Sequence, residues 1–148
     1  MGQFTGKIAV ITGSTQGLGA AVARLLAERG AEGIVICGRN KTRGETKAKE
    51  IAAAYGTKTI FVQAEQSKVE DCRAIIAAAD KAFGRIDVLV NCAADTRRGT
   101  ILSTSPELYD ELFNTNVRRP FFLIQDTLKV MIREKIEGTI VNIGSMSA

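Results

Sequence analysis

Lys7-Ile8-Ala9-Val10-Ile11-Thr12-Gly13-Ser14-Thr15-Gln16-Gly17-Leu18-Gly19 decides how the rest of the chain is organised. Its first half is a short apolar run rich in β-branched residues, the pattern of a strand buried in a parallel sheet. A turn with three glycines follows, and Ala20-Ala21-Val22-Ala23-Arg24-Leu25-Leu26 opens a helix. A strand feeding a glycine-rich turn at a helix N-terminus suits an anion. The first N–H groups of the helix have no internal partner, and its dipole places partial positive charge there. Glycine permits close approach of a pyrophosphate and backbone conformations at positive φ. Gly13-x-x-x-Gly17-x-Gly19 is neither the G-x-G-x-x-G spacing nor a phosphate loop ending in Gly-Lys-Ser/Thr. The glycines alone fit a strain-relieving turn nearly as well as a nucleotide site; their place after the first strand favours the nucleotide.

Beyond this stretch, apolar runs alternate with helical patterns. Gly30 is placed to end the first helix, and Ile34-Val35-Ile36-Cys37 reads as a second strand. Thr42-x-x-Glu45 has the form of a capping box, opening a helix with Ala48, Ile51, Ala52 and Tyr55 inward. Lys58 to Val62 reads as a third strand. Ser67-x-x-Glu70 is a second such box, before a helical pattern that ends at Gly84. Ile86 to Val90 reads as a fourth strand, running into Asn91-Cys92-Ala93-Ala94. After a polar loop, Ser105-Pro106 predicts N-cap and N1 of a long helix through Ile132, and Gly138 to Ile143 a fifth strand. Strict alternation predicts an α/β fold, a parallel sheet with helices on both faces, whose ligands bind at the carboxyl ends of the strands.

The 148 residues suit a single domain with one core; they are 45% hydrophobic and 24% charged, which excludes a disordered chain. No window approaches the length of a membrane span, and the N-terminus lacks the form of a secretion signal. A net charge of +4, spread rather than clustered, favours a small phosphorylated ligand over nucleic acid. Cys37, Cys72 and Cys92 lack metal-ligand spacing and read as reduced thiols of a cytoplasmic protein. There is no histidine, so acid–base chemistry falls to other groups.

Thr12-Gly13-x-x-x-Gly17-x-Gly19, Asn91-Cys92-Ala93-Ala94, Asn116 and Gly138 to Ser145 together resemble the short-chain dehydrogenase/reductase family, in order and in structural place. The resemblance implies a Rossmann-type doubly wound sheet of strand order 3-2-1-4-5, and hydride transfer between a nicotinamide cofactor and a carbonyl or alcohol. It implies cofactor contact by Gly13, Ser14, Thr15, Gln16, Gly17, Leu18 and Gly19, and by Asn91 and Ala93. Glu65 stands where the family usually has an aspartate for the adenine amine, with Gln66 able to share that contact through its backbone. Asn91 to Ala94 departs from the usual Asn-Asn-Ala-Gly at Cys92 and Ala94.

Cofactor choice turns on Cys37-Gly38-Arg39-Asn40. A carboxylate at the end of the second strand would bind both ribose hydroxyls of NAD(H). Here Gly38 holds that position and Arg39 follows, a guanidinium suited to a phosphate dianion. NADP(H) is therefore expected over NAD(H), with Arg39 and Asn40 at the adenosine ribose; Arg39 stacked on the adenine or solvated is the alternative. Pro120 has no N–H for the carbonyl of Asn116, the residue whose family counterpart holds a relay water, so a kink with that acceptor left free is expected. The resemblance places the substrate-holding serine at Ser145, with Ser147 competing.

The family's proton donor belongs to a Tyr-x-x-x-Lys pair, and neither Tyr55 nor Tyr109 is so followed. Two expectations follow: the chain is the N-terminal portion of a longer reductase, or it is a cofactor-binding module without catalysis. The expected partners are a small carbonyl or alcohol substrate and, at full length, further copies in a homodimer or homotetramer through the long helix; Phe121, Phe122 and Leu123 fit such an interface and core packing equally. Arg97 and Arg98 could meet an acidic substrate or lie solvated. No nucleic acid, membrane or metal partner is expected.

Overall fold

The computed structural model describes residues 2–65 and 68–145. Five strands form one parallel sheet in the order β3-β2-β1-β4-β5. They are β1 (Ile8–Thr12), β2 (Gly33–Gly38), β3 (Lys58–Gln63), β4 (Val88–Asn91) and β5 (Thr139–Asn142). The helices between them are α1 (Gly17–Glu28), α2 (Lys41–Tyr55), α3 (Val69–Phe83), α4 (Pro106–Phe113) and α5 (Arg119–Arg133). A π-helical segment, Asn114–Arg118, joins α4 to α5.

The sheet has a core on each face because successive strand residues point to opposite sides. Val10, Val35, Cys37 and Leu89 pack with Cys72, Ile75 and Ile76 of α3 and Leu123 and Val130 of α5. Ala9, Ile11, Ile34, Ile36 and Val90 pack on the other side with Ala23 and Leu26 of α1 and Ile51 of α2. At about 1.5–3 kcal/mol for each fully buried large aliphatic side chain, these two layers dominate the stability of the sheet. Strand order reverses between β1 and β4, where Thr12 stands opposite Asn91. This is the switch point at which an open α/β sheet forms a ligand crevice.

Helix ends show the chemistry behind these bounds. Gly30, at φ 92, closes α1 with its own N–H on Ala27 and that of Ala31 on Leu26, a Schellman arrangement. Ser105 caps α4 by accepting from the Leu108 N–H at 3.2 Å, with Pro106 at its start. The Thr42/Glu45 box is corrected: Asn40 caps α2, its Oδ1 accepting from the Arg43 N–H at 2.9 Å, while Thr42 lies inside the helix. Tyr55 is also corrected, being 38% exposed rather than inward. Ser67 lies outside the described residues; α3 begins at Val69 behind Lys68. The long helix differs from an uninterrupted α-helix by its π segment, in which the Arg119 N–H reaches back to the Asn114 carbonyl. Among the described residues no helix is long and apolar enough to cross a membrane.

Candidate active site

The turn between β1 and α1 lies at the switch point. Gly13 has φ 64 and Gly17 φ 56, so both take the left-handed conformation that a side chain disfavours. A Cβ at Gly19 would stand 2.5 Å from the Gly13 carbonyl oxygen, and one at Gly13 would stand 3.0 Å from Ala93 Cα. The three glycines therefore close the turn on itself and against the end of β4. Gln16, in extended conformation at the N-cap of α1, makes no side-chain cap, and the first turn carries no acidic residue. This helix start presents N–H groups and dipole charge without a carboxylate to neutralise them.

The side chains beside the turn have different tasks. The Ser14 hydroxyl donates to the Ile11 carbonyl at 2.6 Å and accepts from the Cys37 N–H at 3.0 Å, and its own N–H donates to the Cys37 carbonyl. Ser14, fully buried, thus ties β1 to β2 beneath the turn. Thr15 packs on Gly38, where a Cβ would stand 2.7 Å from Thr15 Cγ2. A side chain at position 38, a carboxylate included, would require Thr15 to shift. The exposed Gln16 side chain accepts from the Arg43 guanidinium, which brings a second arginine to the rim that holds Arg39 and Asn40.

Across the switch point, Thr12 Oγ1 accepts from the N–H groups of Cys92 (3.0 Å) and Ala93 (3.1 Å), bending the chain away after β4. Asn91 is buried; its Nδ2 donates to Asn142 Oδ1 at 2.8 Å, and its Oδ1 has no hydrogen-bond partner among the described residues. An unsatisfied buried carbonyl beside a glycine turn is a place for a donor from a ligand or water.

A cleft of about 600 Å³ is lined, among others, by Arg39, Glu65, Ala94, Asp95, Asn114 and Arg119. Glu65 Oε2 stands 3.9 Å from Lys68 Nζ, and its N–H donates to the Asp71 carboxylate. Gln66 lies outside the described residues, as does Ser147. The Asn116 amide grips Asp95 by two bonds, Oδ1 accepting from its N–H and Nδ2 donating to its carbonyl, each 2.9 Å. Pro120 offers no N–H, so the Asn116 carbonyl has no α-helical donor. Ser145 is exposed just beyond β5.

A family model for the short chain dehydrogenase matches residues 7–148. The chain belongs to the short chain dehydrogenase family. The 2-dehydro-3-deoxy-D-gluconate 5-dehydrogenase of Escherichia coli is 36% identical over 141 residues, 95% of this chain and 54% of that protein. A metagenomic short-chain oxidoreductase solved in complex with NADP superposes with a TM-score of 0.88 at 32% identity, covering 97% of this chain and 64% of the other. The L-sorbose reductase of Gluconobacter frateurii, complexed with NADPH and L-sorbose, gives 0.92 at 29% identity over 97% and 54%. The chain spans about half the length of the curated relatives it matches.

The structure brings the glycine turn, Arg39, Glu65, Asn91 and Ala93 to the carboxyl end of the sheet, with Asn116 bonded to Asp95 beyond the β4 turn. Arg97 is exposed, as the solvated reading has it, and its guanidinium is paired there with the carboxylates of Asp95 and Glu111. Those two bonds hold its guanidinium firmly in the charged form. Arg43 and Arg119 were not singled out from the sequence. Arg43 carries a signal in its position, one turn from a cap at the end of β2. Arg119 carries none, since a helical arginine ordinarily faces water.

Proposed function

We propose that this chain is the single dinucleotide-binding domain of an NADP(H)-dependent reductase acting on a small carbonyl or alcohol, the N-terminal portion of a longer protein. The observation that carries the reading is the uncapped start of α1 behind Gly13, Gly17 and Gly19, at the end of the strand whose Thr12 pairs with Asn91. A Cβ at Gly13 would press on Ala93 and one at Gly19 on the Gly13 carbonyl, so the turn needs glycine at both. The first turn of α1 holds nothing acidic to oppose a pyrophosphate. Bound NADP(H) would supply the hydride chemistry. Main-chain amides of residues 16–19 hold the two linked phosphates, with Thr15 and Leu18 shaping the rim and Ser14 supporting it from below. Arg39 and Asn40, with Arg43 beside them, face the ribose phosphate. Glu65 and Gln66 border the adenine, and Asn91 and Ala93 the opposite wall.

NADP(H) over NAD(H) is supported by glycine at position 38, where a ribose-binding carboxylate would crowd Thr15, and by two arginines at the rim. Relatives of the same fold were solved with NADP or NADPH. On the substrate side, Ser145 holds the substrate oxygen and the Asn116 carbonyl holds a relay water. Residues 1–148 contain no Tyr-x-x-x-Lys pair, and we assign proton donation to sequence beyond them, as the greater length of the relatives supports. The same lack favours a second reading, a coenzyme-binding module without turnover. The free thiols support a reducing, cytoplasmic setting. Assembly as homodimer or homotetramer is supported by the exposed Tyr109, Phe113, Val117, Phe121 and Ile132 along α4 to α5. Leu123, which fits core packing equally, is fully buried.

Calorimetric titration with NADPH and with NADH tests the reading. One saturable site preferring NADPH is expected; no binding, or tighter NADH, overturns it. NADPH oxidation by carbonyl compounds separates reductase from module.

A further inference from the structure

Ala93 is held from three directions. Its N–H donates to Thr12 Oγ1 at 3.1 Å. Its Cα lies so near Gly13 that a Cβ there would be 3.0 Å away. Its carbonyl accepts from the guanidinium of Arg119, at the first turn of α5. Arg119 is 2% exposed, although it lines the same cleft as Arg39 and Glu65. Burying a guanidinium strips it of water, so fixed hydrogen bonds are needed to hold it there. Its contact with Ala93 continues to the glycine turn, because the Gly13 carbonyl in turn abuts Gly19. Asn116, one turn earlier, grips Asp95 by both backbone groups, so one helical stretch clamps residues 93 to 95.

We infer that Arg119 is a positioning residue for the coenzyme: by holding the Ala93 carbonyl it fixes the β4 turn against Gly13 and keeps the phosphate-binding turn in its binding shape. The inference rests on the dinucleotide reading above. Arg119 acts through Ala93, not by touching the ribose phosphate, so its loss weakens NADPH and NADH binding by the same factor.

The test uses R119M, R119K and the native chain, with NADPH emission as the readout; the chain has no tryptophan to interfere. Native binding comes first, and its absence defeats the dinucleotide reading. With native binding in hand, R119M is expected to bind both coenzymes about tenfold more weakly, as loss of a charge-assisted hydrogen bond implies. R119K, which keeps a cationic donor, stays within about threefold of native. A merely structural arginine would lower thermal stability and leave the dissociation constants of the folded protein unmoved, which overturns the inference. A loss confined to NADPH also overturns it, since that marks direct phosphate contact. Should R119M fail to fold, the guanidinium resonances of Arg119 in native chain labelled with 15N-arginine decide. They shift on NADPH addition if the inference holds, and their invariance refutes it.

Discussion

Asn91 and Asn142 face each other in register across β4 and β5, joined by an amide–amide hydrogen bond of 2.8 Å. The bond occupies the Asn91 Nδ2 and directs its Oδ1 into a buried position without a partner among the described residues. Asn142 thereby fixes the orientation of the Asn91 amide at the end of β4.

N142A removes the acceptor and strands the Asn91 donor. A loss of about 1–2 kcal/mol is expected, a lost hydrogen bond with an unsatisfied group in partial burial. N142D keeps an oxygen at the same place and should stay closer to native in urea titrations. Equal losses for both would show that the bond contributes nothing specific.

Gly38 and Thr15 give a second expectation. G38D, the change that would convert coenzyme preference by placing a carboxylate on β2, drives its Cβ into Thr15 Cγ2. Overpacking of this kind typically costs about 1–3 kcal/mol. G38D with T15A should recover most of that loss, and only the double variant should gain NADH affinity. Undiminished stability of G38D alone would contradict the packing.

The basal end of the sheet has its own ionic anchor. Asp87 is buried and accepts from Arg85 (2.7 and 3.0 Å), Lys7 (3.3 Å) and the Ile8 N–H (3.0 Å). Burial pushes its carboxyl up, but the Arg85 and Ile8 bonds with Lys7 more than offset this and hold it below the usual carboxylate range. A pKa depressed by folding stabilises the protein fully above the unfolded value and is lost as pH falls through the folded one. D87N should therefore be destabilising by about 2 kcal/mol at neutral pH, and the gap to native should narrow below about pH 4. A gap unchanged at acid pH would refute the linkage.

Thiol chemistry separates the cysteines. Burial pushes Cys37 up to about 12 and Cys72 up to about 11, so both remain thiols. Half-buried Cys92, in the β4 turn, is also raised by burial but is the more accessible group. A disulfide reagent at mildly alkaline pH should label Cys92 first in the native state and all three cysteines only after unfolding. Rapid native labelling of Cys37 would contradict the burial of β2.

What the sequence could disclose was local. The apolar run into Gly13, Gly17 and Gly19 and the Ser105-Pro106 start are patterns whose cause lies within a few residues, and the structure forms them where expected. The cap of α2 was not local. Thr42/Glu45 and Asn40 both suit a cap, and the pairing of Gly38 with Gln63 decides by carrying β2 up to the residue before Arg39. The use of Ser14 beneath the turn depends on Cys37, a strand away. Arg119 was illegible for the same reason. The π segment inserts a residue into the helical register before it, and only the packed β4 turn shows where that side chain goes.

The most direct test of the central claim is residue-level mapping of coenzyme binding. A 15N-labelled chain is titrated with NADPH and its backbone amides are followed. Amides of Gly17, Leu18 and Gly19 are expected to shift most, together with Arg39 and Ala93, while those of Gly84, Asp87 and Lys135 at the basal end stay fixed. Shifts centred on the basal end, or an unmoved 13–19 turn under saturating NADPH, would contradict it.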